Sequence, residues 1–300
     1  MPGDGTILAE LHVHLEGTVR RETAIELARA HGLPAPPPYS YSDLEGFMRV
    51  YQPVAQSMRT KADFERVIGE HAAEMARQRI KYAEISFNPS LHAGEEWVGG
   101  LARGRALARA MHGVEIRWLV ELVREASAEA NERALDIALT TEGVVGLGLV
   151  GDETFSLRPL LPLITRAQSQ GLGFMPHAGQ VGGPEVVRQA IDAGARRIAH
   201  GVAAAADPSV ASELAARKVC LCVCPSSNRR IGVEPDLRTL AAHGIQMCLN
   251  TDDPAMVPST LEAELEIGVR ESRLPRLALV AAAWANRFGP ATLPLNNSVK

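Results

Sequence analysis

Eight short apolar runs rich in β-branched residues punctuate this chain, at residues 7–13, 82–87, 115–121, 144–150, 172–176, 197–200, 219–223 and 245–250. Between them lie Ala-, Leu- and Arg-rich stretches whose apolar residues fall at helical spacing, among them 22–31, 62–79, 101–111, 128–139 and 184–193. Strand and helix alternating eight times is the pattern of a parallel (β/α)8 barrel, the TIM barrel, an α/β architecture. The runs at 172 and 197 are short, and their spacing supports the count. A chain of 300 residues suits one such unit, so residues 1–300 are read as a single barrel domain. Sites on this fold gather where the strands end.

Two regions depart from the repeat. Between the first and second runs lie the turn-rich LPAPPPYSYSD and the apolar or aromatic Tyr39, Tyr41, Phe47, Met48 and Tyr51. Aromatic residues at helical spacing are more often plain packing, but a connection this long in a barrel is often a lid or pocket wall. The polar tail from Gly289, GPATLPLNNSVK, has no periodicity, so 289–300 reads as loose.

Composition excludes several classes. A hydrophobic fraction of 46% with 22% charged residues is ordinary for a soluble globular chain. No run approaches the roughly 18 apolar residues of a membrane span, and MPGDGT lacks the basic start of a secretory signal, so the expected location is cytoplasmic. A net charge of -4 without a basic stripe gives no footprint for nucleic acid, and the expected partner is a small molecule. Cys220, Cys222, Cys224 and Cys248 lack the C-x-x-C pairs of a structural zinc knuckle and read as core thiols outside any disulfide framework.

The chemistry starts in ILAELHVHLEG, residues 7–17. Side chains alternate faces along a strand, so His12 and His14 point the same way, close enough to grip one ion. A lone His-x-His is more often two ordinary polar residues. Here further polar residues close later runs: His177 in PHAGQ, His200 in IAHG, and Asp252 with Asp253 in LNTDDP. Histidines with a carboxylate suit zinc, whose catalytic sites keep a position for water. These residues span the whole chain, whereas a closed structural ion draws on closely spaced ligands, so a hydrolytic site is the stronger reading. His14-Leu15-Glu16 formally matches the H-x-E element of cytidine-type zinc deaminases. Their P-C-x-x-C partner is absent, since Cys224 precedes Pro225, and that match is accidental.

With ELHVHLEG, NPSLH, VVGLGLVGDE, HAGQVGGPEVV, RIAHG, CPSSN and LNTDDP in this order over about residues 7–270, the chain resembles the adenosine deaminase family of metal-dependent hydrolases. The resemblance implies one zinc ion per chain held by His12, His14, His177 and Asp252. It implies that His200 orients the attacking hydroxide, that Asp253 bonds a purine ring nitrogen, and that Gly151 offers its backbone to another. Glu16 stands where many members carry an aspartate that meets the sugar. For Asp253 the plainer alternative is a helix cap before Pro254, and for His200 a satisfied core histidine. Arg229 and Arg230, after CPSSN, suit a phosphate or carboxylate on a long substrate arm, but such a pair is more often a solvated loop.

One position departs from the family pattern. In its HAGE motif the glutamate protonates the purine ring nitrogen as hydroxide adds to the neighbouring carbon, and this chain has Gln180 there. An amide can hold that nitrogen by a hydrogen bond but has no proton acidic enough to deliver. Loss of a positioned general acid removes roughly 10²- to 10⁴-fold in rate, so ordinary adenosine deamination is expected to be impaired. The first reading is family-type deamination of an adenine-containing or modified aminopurine compound. The second is a purine-binding protein that lost turnover, and the third a different zinc-dependent hydrolysis. A Glu→Gln substitution made to trap a ligand would give the same sequence.

Overall fold

The structure, a computed structural model, describes residues 5–290. Eight parallel strands carry it: β1 Leu8–His14, β2 Ile80–Phe87, β3 Glu115–Val123, β4 Val144–Val150, β5 Gly173–Ala178, β6 Arg197–His200, β7 Cys220–Val223 and β8 Met247–Leu249. Each pairs with the next in sequence order. The ring closes between β1 and the residues after β8, where His14 N donates to Asp252 O at 2.9 Å and Asp252 N to His12 O at 3.1 Å. The expected TIM barrel is therefore the fold.

At this seam β8 is shorter than the 245–250 run predicts. The Asn250 side chain replaces a strand carbonyl, its Oδ1 accepting from Leu11 N at 2.7 Å and from His12 N at 3.1 Å. That amide lets the backbone leave the strand early and aim residues 250–253 across the mouth.

The barrel is packed inside by Leu11, Tyr82, Leu119, Met175 and the thiols of Cys220, Cys222 and Cys248. A larger apolar layer fills the space between strands and helices. All four cysteines are buried and free, as expected of core thiols. Among the described residues no helix is long and apolar enough to cross a membrane.

The connection between β1 and β2 folds into α1 Arg21–Ala30, α2 Leu44–Ser57 and α3 Lys61–Arg77. Helix α2 starts where Asp43 accepts from Gly46 N at 2.7 Å, and α3 at a reciprocal capping box between Thr60 and Asp63. Thus anchored, α2 lays Leu44, Phe47, Met48 and Tyr51 along the barrel mouth, so this long connection is a pocket wall. At the opposite end, Phe288 and Gly289 run under the barrel, their backbone N–H groups donating to Glu84 Oε1 at 2.7 and 3.0 Å. Residues 291–300 of the expected loose tail lie outside the described residues.

Candidate active site

Four ligand atoms meet at the C-terminal mouth of the barrel. His177 Nε2 lies 3.2 Å from the Nε2 atoms of both His12 and His14. Asp252 Oδ1 lies 3.1 Å from His12 Nε2 and 3.2 Å from His14 Nε2. His12 and His14 come from one face of β1, His177 from β5, and Asp252 from the turn after β8. All four residues are buried.

The donor set fits a divalent cation. Ring nitrogens and a carboxylate oxygen spaced this way suit an ion about 2.0 to 2.2 Å from each. The Nδ1 atom of each imidazole already faces an acceptor: Cys222 O at 3.1 Å for His12, Leu149 O at 3.2 Å for His177, and Glu121 Oε1 at 2.9 Å for His14. A proton on each Nδ1 leaves each Nε2 lone pair aimed at the common centre, the arrangement by which outer partners orient metal-binding histidines. Asp252 is fixed from behind by Ser227 Oγ, which donates to Oδ2 at 2.6 Å.

Next to this group stand two side chains that each keep one buried polar atom without a partner in the protein. His200 Nδ1–H points to Asn228 Oδ1 at 3.4 Å, while its buried Nε2 has no hydrogen bond and lies 3.8 Å from Asp252 Oδ2. Burial pushes the His200 imidazole down to about 3, so it is neutral at physiological pH. Asp253 Oδ1 is likewise buried and unpartnered. Burial, then the Asp252 charge, holds the Asp253 carboxyl well above the usual range. Asp253 caps no helix, and His200 is not a satisfied core histidine. Both face the cavity.

The backbone is bent to make this possible. His200 and Asp252 adopt φ of +62° and +63°, left-handed conformations that disfavour any residue with a Cβ and concentrate at functional sites. Gly17 supplies the room, because a Cβ there would stand 1.9 Å from Asp253 Oδ1.

The remaining sequence candidates divide. Gly151 and Gln180 line the cavity. Glu16 does not: its buried carboxylate is engaged one layer back, with Tyr51 Oη at 3.2 Å on Oε2 and with His92 Nε2 at 2.9 Å and Asn88 N at 3.2 Å on Oε1. Glu16 thus braces α2 and the loop after β2. Arg229 is bound to Glu234 and Glu271 at 2.6 and 2.8 Å, and Arg230 lies over the Tyr41 ring at 4.9 Å. Neither lines the cavity.

Sequence reasoning passed over Glu121, Asn228 and Glu153. Glu153 accepts the backbone N–H groups of Gly179, Gln180 and Gly182 at 2.8, 3.0 and 2.8 Å, clamping the turn that carries Gln180. Its signal lay in the GDE run, and that of Glu121 in a charge closing an apolar strand. The cavity above these groups measures about 550 Å³.

A closed parallel barrel with three imidazoles and a carboxylate converging at its mouth places the chain among barrel hydrolases with a site able to hold a metal ion. The profile of the adenosine deaminase family matches residues 8–285, and the chain belongs to that family. It is 34% identical to the aminodeoxyfutalosine deaminase of Streptomyces coelicolor, over 87% of this chain and 74% of that protein. It is also 34% identical to an adenine deaminase of the same organism, over 82% and 79% of the two chains. The crystal structure of adenine deaminase from Arthrobacter aurescens superposes with a TM-score of 0.87 at 28% identity, covering 95% of this chain and 94% of that one.

Proposed function

We propose that this protein is a zinc-dependent deaminase of an adenine-containing or modified aminopurine base or nucleoside, acting in the cytoplasm. The observation that carries the reading is the convergence of four buried donors beside the unpartnered His200 Nε2 and Asp253 Oδ1. The names of the relatives, adenine deaminase and aminodeoxyfutalosine deaminase, support an aminopurine as the ring.

A zinc ion held by His12, His14, His177 and Asp252 would lower the pKa of water to around 7 and so make hydroxide available at neutral pH. Neutral His200 presents its Nε2 lone pair to the cavity, where it would orient the attacking water and take up one of its protons. Asp253 and the Gly151 backbone fix the ring, so that the carbon bearing the amine faces the nucleophile. Addition of the water oxygen to this carbon, passage of one water proton by way of His200 to the departing amine and of the other to the ring nitrogen, and cleavage of the C–N bond release ammonia and leave the oxo-purine. Gln180 donates an amide N–H to the ring nitrogen flanking that carbon. It holds the ring in register but transfers no proton.

Gln180 also supports the second reading, a protein that binds the ring and turns it over poorly. Zinc-loaded protein and its Gln180→Glu variant, assayed on adenine and adenosine, separate the two. Deamination by the natural protein supports the proposal. Tight binding of aminopurines with turnover only in Gln180→Glu, or in neither form, sinks it in favour of the binder.

A further inference from the structure

We infer that the outer half of this cavity selects substrates whose arm beyond the purine ring is uncharged and largely apolar, and rejects arms ending in phosphate or carboxylate. This rests on the aminopurine reading above and adds the substrate class.

Room for an arm is evident. At about 550 Å³ the cavity falls in the range that encloses drug-sized ligands, well beyond a bare bicyclic base. Its charge is one-sided. Beside the deep carboxylates of Glu121, Glu153, Asp252 and Asp253, the mouth carries Glu45, Glu125 and Asp152, and no lysine or arginine lines it among the described residues. A divalent ion would offset charge only in the deep group and Arg49 offsets Glu45, while the exposed Glu125 and Asp152 keep the mouth acidic.

The nearest guanidinium groups are already engaged. Arg49 pairs with Glu45. Arg124 sits behind the wall, donating to Phe155 O at 3.0 Å and His177 O at 2.9 Å. Arg230 spreads over Tyr41 and donates to Tyr39 O at 3.4 Å. The wall also carries the apolar and aromatic Tyr41, Leu44, Phe47 and Met48 of α2 and the segment before it. A phosphate brings nearly two negative charges and strong demand for donors. Placed here it would meet like charges in a partly water-excluded space and no lysine or arginine in the wall to receive it, whereas an uncharged arm meets apolar surface.

Titration calorimetry on the zinc-loaded protein at low ionic strength tests this with adenosine and inosine against AMP and IMP, and needs no turnover. The nucleosides are expected to bind at least about 100-fold more tightly than the nucleotides. The double variant Glu125→Gln/Asp152→Asn should narrow that ratio, as should added salt, because exposed charges at the mouth are screened. Equal or tighter nucleotide binding overturns the inference while the aminopurine reading stands. Loss of that binding in Arg230→Ala would then name the anchor. Binding of neither class overturns both.

Discussion

In the proposed reaction Gln180 stands where a general acid would serve, without the acidity. Its backbone is clamped by Glu153, its side chain lines the cavity, and it stands three residues from the donor His177. Because the surroundings already fit a side chain of this shape, Gln180→Glu should raise the deamination rate by about 10²- to 10⁴-fold, read as kcat on adenosine or adenine. An unchanged kcat would mean that another group delivers the proton. Glu121 faces His14 Nδ1 at 2.9 Å and would orient that imidazole toward a bound ion. Glu121→Gln should weaken metal affinity by about 10- to 100-fold, measured by competition with a chelator. An unchanged affinity would show that the backbone alone orients His14. These residues differ in how legible they were. His12 and His14 share a face by the two-residue period of a strand, which any reader of the sequence can apply. Glu121 meets His14 only because β1, β2 and β3 are neighbours, and no spacing along the chain encodes that contact.

At the scale of elements, all eight strands were visible as apolar runs because both faces of a barrel strand are buried. Their ends were less visible, since the Asn250 side chain and the left-handed turns at His200 and Asp252 decide where pairing stops. Helix α2 escaped because its apolar residues divide between the core, at Val50 and Val54, and the cavity mouth, at Leu44, Phe47 and Met48, and so form no single stripe. Helix α3 carries a testable charge. His71 is buried, its Nε2 has no hydrogen-bond partner, and burial pushes its imidazole down to about 4 from an ordinary 6.5. The unfolded chain therefore takes up a proton near pH 6.5 that the folded chain refuses until about pH 4. Stability from neutral His71 is complete above 6.5 and is lost as pH falls through this window, by up to about 3 kcal/mol. Urea midpoints between pH 7 and 4 should fall less steeply in His71→Leu than in the natural chain. Parallel slopes would exclude the assignment.

Across the whole molecule, the ends of the barrel are joined by β6, which starts at Arg197 on the floor and finishes at His200 in the site. On the floor Arg197 and Glu84 are both fully buried with guanidinium and carboxylate 2.6 Å apart, and Phe288 packs under the guanidinium at 3.8 Å. Glu84 also takes Tyr82 Oη at 2.6 Å and the backbone N–H groups of Phe288 and Gly289, so one carboxylate ties β2, β6 and the segment after the last helix. The sequence read residues 289 onward as loose because glycine, proline and asparagine carry no periodicity; the hold on Gly289 comes through its backbone, which leaves no pattern. Removing one partner of such a pair strands a buried charge, whereas removing both does not. Arg197→Met should thus lower unfolding free energy by about 3 to 5 kcal/mol in denaturant titrations. Arg197→Met with Glu84→Gln should lose less than the arginine variant alone, because the amide still accepts from Tyr82 and the backbone without an unpaired charge. If the two losses simply add, the ion pair is not what secures the floor.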